Sequence, residues 1–227
     1  SDDGLSLTIP LRRDVLFHDG TRFDAKAMAF SLKRFLRIGS QRYLLNDRIA
    51  AIETPTRFEL RLRLKQPSSS IESLLTSPYL TPVSPKAYAD HADRFLNDRF
   101  VGTGPFTLNS FRNTQQRLLP FRNYWGTPPN NVGLDLINLS NSTALFGALI
   151  SGEVDVLLSN SIDEDQKRAL SERADKSLLR ESKGPATNIT FVTLRTNRPP
   201  LQSQTVRRAL AHSIDRRLIS ARVSYSQ

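Results

Sequence analysis

The sequence predicts a mixed α/β (α+β) fold. Three observations carry that prediction. Apolar and polar side chains alternate along Leu5 to Leu11 and along Phe58 to Leu64. Apolar residues recur at helical spacing after Asp24, Ser142 and Gln204. The two kinds of signal interleave along the 227 residues instead of segregating into blocks. That length suits one large domain or two small ones and is enough to bury a core. The composition, 38% hydrophobic and 24% charged, is that of a globular chain. No apolar run reaches membrane-spanning length, and the polar opening Ser1-Asp2-Asp3-Gly4 lacks a leader pattern.

The elements follow in order. Leu5, Leu7, Ile9 and Leu11 form one face of a strand; Pro10 cannot donate a ladder bond, so this strand belongs at a sheet edge or carries a bulge. His18-Asp19-Gly20-Thr21 reads as a turn with Gly20 at positive φ. Asp24 caps a helix whose apolar face is Ala25, Met28, Ala29, Leu32, Phe35 and Leu36, with Lys26, Lys33 and Arg34 outside it. Ala50 to Glu53 and Phe58 to Leu64 form a hairpin around Thr54-Pro55-Thr56, with Phe58, Leu60, Leu62 and Leu64 facing the core. Ser68 to Ser70 cap a short helix through Ile71, Leu74 and Leu75, and Ser84-Pro85 starts another. Phe106 to Ser110 and Arg117 to Phe121 form a second strand pair, and Gly133 to Leu139 adds a strand. Ser142 caps a helix that Gly152 ends. Val154 to Leu158 reads as a short buried strand, Ser161 or Asp163 starts a helix, and Leu178 to Arg180 and Thr187 to Leu194 read as strands. Gln204 to Ser213 is a helix, with another starting near Asp215. A boundary falls near 110–120, which divides the chain into a hairpin-rich part, residues 1–112, and a strand–helix part, residues 113–227.

Charge and motif content exclude several function classes. The chain carries 32 basic and 22 acidic residues, a net charge of +10. The surplus is the same in residues 1–115, with 17 basic against 12 acidic, and 116–227, with 15 against 10. Such even spread makes neither a basic tail nor a stripe, and argues against nucleic acid as a partner. With no cysteine there is no disulfide, thiolate metal site or cysteine nucleophile. The three histidines, His18, His91 and His212, lack metal-ligand spacing, and no H-E-x-x-H, G-x-S-x-G or S-x-x-K occurs. Gly102-Thr103-Gly104-Pro105 lacks the Lys-Ser/Thr of a phosphate loop and leads into a strand. Glu153 and Asp155 share a face but read as a solvated strand end. The chain is therefore not expected to be an enzyme or to use a metal or other cofactor.

Four blocks in order carry a resemblance: Leu11-Arg12-Arg13-Asp14-Val15-Leu16-Phe17-His18-Asp19-Gly20-Thr21-Arg22-Phe23-Asp24-Ala25; Val101-Gly102-Thr103-Gly104-Pro105-Phe106; Asn123-Tyr124-Trp125-Gly126; and Pro199-Pro200-Leu201 followed by Val206-Arg207-Arg208-Ala209-Leu210-Ala211-His212-Ser213-Ile214-Asp215-Arg216. Together they resemble the extracellular solute-binding proteins of the oligopeptide/dipeptide/nickel class (family 5), the receptors of ABC importers. The resemblance implies a periplasmic-binding-protein-like II fold, represented in part. Residues 1–112 would be an accessory subdomain and 113–227 part of the main lobe, with the second lobe missing. It implies capture of a peptide or small solute between two lobes that close by hinge motion. Delivery would be to a membrane permease, from a periplasmic or membrane-anchored extracytoplasmic location, by a protein monomeric at full length. It also implies that Ser159, Asn160 and Ser161 at one strand end, and Thr187, Asn188 and Phe191 in another strand, line the ligand cleft. The second stretch would pair with a peptide main chain. Arg195-Thr196-Asn197-Arg198, Leu201 and Gln202-Ser203 depart from the family pattern. As one lobe, these residues alone are expected to bind ligand weakly or not at all. A sensor domain of a regulator built on the same fold is the alternative.

Overall fold

The computed structural model describes residues 3–91, 93–94, 99–158, 162–176, 178–182, 184 and 191–223. The chain divides into two compact units, Ser1–Asn138 and Leu139–Gln227.

The first unit is built on strands β1 (Ser6–Pro10), β2 (Ile49–Thr56) and β3 (Glu59–Leu64), antiparallel in the order β1-β3-β2. Pro10 thus sits at the end of an edge strand, where its missing donor costs no ladder bond. Central β3 has the strict alternation the sequence calls for: Leu60, Leu62 and Leu64 are buried, while Arg61 and Arg63 lie on the wet face. Leu62 pairs with Leu7 on one side and Ile52 on the other, so its burial is decided by both neighbours. On the opposite face Arg63 Nε donates to Glu53 at 2.6 Å and Arg61 to Glu59 at 3.3 Å.

The hairpin differs from its expected form. β2 runs on through Thr54-Pro55-Thr56, and the turn falls at Arg57-Phe58. Glu53 faces Arg61 and Thr56 faces Glu59, so three steps on β2 oppose two on β3. That bulge absorbs Pro55 on an edge strand. Phe58 is not one of the inward set. It is half-buried at the turn, with the guanidinium groups of Arg13 and Arg57 within 5.5 Å and 5.3 Å of its ring.

Helix α1 (Ala25–Ile38) covers the sheet. Asp24 caps it by accepting from the Ala27 amide at 3.0 Å. Its expected apolar stripe packs with Leu45, Ile49, Leu60, Leu62, Leu64, Ile71 and Leu80 in the main core. A second buried face, with Ala27 and Ser31, was not visible in the periodicity. Ser31 Oγ donates to the Val83 carbonyl (3.2 Å) and accepts the Val83 amide (2.9 Å). Small side chains there let segment 81–84 approach the helix closely. Ala27 also joins Val15, Phe17 and Phe23 in a satellite core, where the Phe17 and Phe23 rings meet edge-on at 6.0 Å. Short helices α2 (Tyr43–Asn46), α3 (Ile71–Leu75) and α4 (Pro85–Tyr88) close the unit around α1.

A second antiparallel sheet follows in the same unit: β4 (Phe106–Arg112), β5 (Gln115–Pro120) and β6 (Leu134–Ile137), in that order. Residues 112 and 113 lie at the β4–β5 turn. Arg117 and Asp135, register partners on β5 and β6, form an ion pair. Gly133 enters β6 at φ 156°, and a Cβ there would sit 2.7 Å from the Leu118 carbonyl. Only glycine permits this approach.

In the second unit the described elements are helices α5 (Ser142–Ser151), α6 (Glu164–Asp175), α7 (Gln204–Ser213) and α8 (Arg216–Val223). Asn141, not Ser142, caps α5, accepting from the Ala144 amide at 2.8 Å. Ser142 Oγ instead accepts the Asp163 amide (2.8 Å) and contacts Gln166, which ties the starts of α5 and α6 together. Gly152 ends α5 in the left-handed region at φ 77°, as its position predicts.

Leu62 is fully buried and flanked on both sides. Leu62→Ala is expected to cost about 2–5 kcal/mol, read as a lowered urea midpoint; a loss under about 1 kcal/mol would mean the core closes over the cavity.

Candidate functional site

Of the six residues expected to line a ligand cleft, Ser159, Asn160, Ser161, Thr187 and Asn188 lie outside the described residues. Phe191 is described, and its ring is 76% exposed. The strands expected to carry these groups are not found among the described residues: 154–158, 178–180 and 191–194 adopt no ladder. Val156, Leu158, Leu178 and Val192 are likewise exposed. A strand exists only through hydrogen bonds to a neighbour. A β-branched apolar run meets the compositional requirement for a strand but cannot supply that neighbour.

The polar cluster that the described residues do assemble lies in the first unit, and it joins three of the four motif blocks. The turn after Phe17 places Asp19 with both oxygens engaged. Oδ1 accepts the Thr21 amide (3.0 Å) and hydroxyl (2.6 Å), and Oδ2 accepts the Ser84 hydroxyl at 2.5 Å. Ser84 is fully buried and accepts the Ala87 amide at 3.4 Å, starting α4. His18 reaches the glycine block. Its Nδ1 accepts the Gly102 amide (3.3 Å) and its Nε2 meets the Gly104 carbonyl (3.0 Å), while its own amide donates to the Gly102 carbonyl (2.9 Å). Nδ1 also lies 3.4 Å from the Phe100 carbonyl. The imidazole packs edge-on against Phe121 at 5.1 Å. Trp125 Nε1 donates to the Thr103 carbonyl (3.0 Å), and the Arg12 guanidinium stacks 4.6 Å from its ring.

Serine, histidine and aspartate therefore meet here, but in an order that gives no nucleophile. Ser84 gives its hydrogen to Asp19, and both ring nitrogens of His18 are committed to the main chain. A serine activated by histidine would need the imidazole between the other two. Chemically the cluster is a clamp. Burial pushes the Asp19 carboxyl up. The hydrogen bonds from Ser84 and from the Thr21 hydroxyl and amide, with the positive field of Lys86, outweigh that and hold it below the usual carboxylate range. The sequence marked His18 to Thr21 as a turn and Ser84-Pro85 as a helix start, which Ser84 is; the bond between them was not visible, although a buried serine needs a hydrogen-bond partner.

The fourth block lies in the second unit. Arg207 on α7 folds back so that its guanidinium donates to the Leu201 and Gln202 carbonyls, both at 2.8 Å. Asp215 caps α8 by accepting the Leu218 amide at 2.9 Å. Among the described residues no group of three or more His, Asp or Glu side chains is placed to hold a metal ion. Among the described residues no helix is long and apolar enough to cross a membrane.

Residues 1–227 match the family described as bacterial extracellular solute-binding proteins, family 5 Middle. A probable D,D-dipeptide-binding periplasmic protein of Escherichia coli K12 is 28% identical over 222 residues, 95% of this chain and 42% of that protein. A glutathione-binding protein of Salmonella paratyphi A is 29% identical over 227 residues, 96% of this chain and 42% of its own length. The chain thus spans less than half the length of these relatives. Among solved structures, a dipeptide-binding protein from Pseudoalteromonas sp. SM9913 in complex with Met-Leu superposes with a TM-score of 0.74. It is 23% identical, with 99% of this chain and 48% of that one covered, and shares the periplasmic-binding-protein fold.

Because the Asp19 carboxyl is held low when folded, its contribution to stability is complete above the ordinary aspartate range. It is lost as pH falls from about 4 toward the lower folded value. Asp19→Asn is expected to flatten the fall in the urea midpoint between about pH 5 and pH 2; parallel curves for the two proteins would remove the clamp's role. At neutral pH, Ser84→Ala is expected to cost about 1–3 kcal/mol by leaving Asp19 short of a donor.

Proposed function

The chain belongs to the bacterial extracellular solute-binding proteins of family 5, and from that premise we propose that it acts as the substrate-binding component of an ABC importer. In this reading it captures a short peptide or similar small solute between two lobes and hands it to a membrane permease. It works in the periplasm or tethered outside the cytoplasmic membrane, monomeric at full length, with no chemistry performed on the solute and no nucleic acid engaged. The observation that carries the reading is the family match over the entire chain. The named relatives support the solute class: they are described as binding a D,D-dipeptide and glutathione.

Ser159, Asn160, Ser161, Thr187, Asn188 and Phe191 are the residues we assign to the ligand cleft, with residues 1–112 as accessory subdomain and 113–227 as part of the main lobe. The chemistry of the six suits a peptide. Asn offers a donor and an acceptor on one planar group and so complements an amide main chain, while Ser and Thr hydroxyls serve either role. Phe191 offers an apolar face for a side chain. Water filling the rest of such a cleft tolerates varied side chains.

The test is calorimetric titration of the whole protein carrying this chain with di- to tetrapeptides. Saturable binding is expected for at least one, weakened about tenfold by Thr187→Ala or Asn188→Ala through loss of one hydrogen bond each. Absence of binding to every peptide, or binding untouched by both variants, would overturn the assignment.

A further inference from the structure

The even spread of basic residues along the sequence does not survive folding. Helix α1 contains no acidic residue, and Lys26, Phe30, Lys33 and Arg37 follow one another at steps of four, three and four, along one side of the helix. Lys26, Lys33 and Arg37 are exposed, and Phe30 is half-buried among them. Beside the first turn of this stripe lies a groove of about 340 Å³ lined by Thr21, Arg22, Asp24, Lys26, Ala27, Phe30, Pro85 and Lys86. Its floor is apolar, from Ala27, Phe30 and Pro85. Its rim carries three cations, Arg22, Lys26 and Lys86, drawn from the turn, from α1 and from α4. The single carboxylate in the lining is already engaged: Asp24 accepts the Ala27 amide and stands 4.0 Å from Arg57 Nε. Asp19, whose field acts on Lys86, is held by Ser84 and Thr21. Among the described residues, none of the three rim cations has an ion-pair partner.

We propose that this groove is a docking site for an acidic peptide segment of a partner protein, one that carries Asp or Glu beside an aliphatic residue. Charge complementarity selects the acidic groups: the lining offers three cations against one carboxylate that is already engaged, and an anionic partner meets that surplus. The concave shape and the half-buried aromatic floor select a peptide side chain over a flat bilayer surface. An apolar centre ringed by charge is the anatomy of a protein anchor pocket. The clamp makes the rim rigid, because Asp19, Thr21 and Ser84 fix the turn that carries Arg22 against the helix start that carries Lys86. The groove shares no residue with those assigned to the solute cleft, so its test does not depend on solute capture.

The test uses the whole chain and a fluorescein-labelled acetyl-Glu-Leu-Glu-Glu-Leu-Glu amide, followed by fluorescence anisotropy. Saturable binding is expected near 0.01 M salt, where the Debye length is about 30 Å, with loss near 1 M, where it is about 3 Å. Lys26→Gln/Lys86→Gln is expected to weaken binding about tenfold or more, with an unchanged circular dichroism melt. Lys33→Gln, on the same helix but outside the groove, is expected to change it less than about twofold. Three outcomes would each overturn the proposal. The peptide does not bind at low salt. Lys33→Gln weakens binding as much as the groove variant, which would mean diffuse charge. Vesicles of phosphatidylglycerol and phosphatidylcholine bind in a groove-dependent way while the peptide does not, which would make the occupant a membrane.

Discussion

The hydrogen bond between Asp19 and the buried hydroxyl of Ser84 is the constraint on which the first unit turns. A carboxylate taken partly out of water is tolerated only when its oxygens are matched by donors, and here Thr21 and Ser84 supply them. With the turn so fixed, His18 is aimed at the glycine block, where both ring nitrogens meet main-chain groups. Gly102 and Gly104 then serve as more than a flexible joint. Gly102 gives both its amide and its carbonyl to His18, and Gly104 gives its carbonyl. Trp125 completes the set by holding the carbonyl of Thr103, between the two glycines. Residues as far apart in the sequence as Arg12 and Trp125 are thus one assembly, in which three of the four motif blocks meet.

Much of the fold was legible in the residues. Period-two alternation located β1 and β3, and Pro10 placed β1 at an edge. Asp24 and Gly152 marked helix ends because a cap is a local event, decided by a few neighbouring atoms. What periodicity missed was set by distant partners. The second buried face of α1 depends on Val83, and nothing within the helix announces it. Pro55 looked like a hairpin turn, yet a bulge on an edge strand accommodates it as well. In the second unit the expected helices form, but Val154 to Leu158 shows the same limit in stronger form: it has the composition of a strand, and composition provides no ladder. The residues assigned to the cleft were reached through family resemblance, not local pattern, since amides and hydroxyls at strand ends also serve turns and caps.

Charge gives a parallel case. A sum over either half of the sequence finds the same modest surplus, because a sum ignores direction. The helix repeat then brings lysines and an arginine spaced along α1 to one side of it, and α4 adds another from sixty residues on. The groove on that side is lined by Phe30 of α1 and Pro85 of α4, and Asp19 and Ser84 tie the turn before α1 to the start of α4.

The topology of the first sheet also sets a timetable. β1 leads the chain, but its ladder partner β3 begins 49 residues after β1 ends, and the donors and acceptors that complete the clamp come as late as residue 104. During synthesis β1 therefore emerges before β3, the strand whose main-chain groups pair with its own. Long-range pairing of this kind is slow to form and leaves the early chain open to other binders.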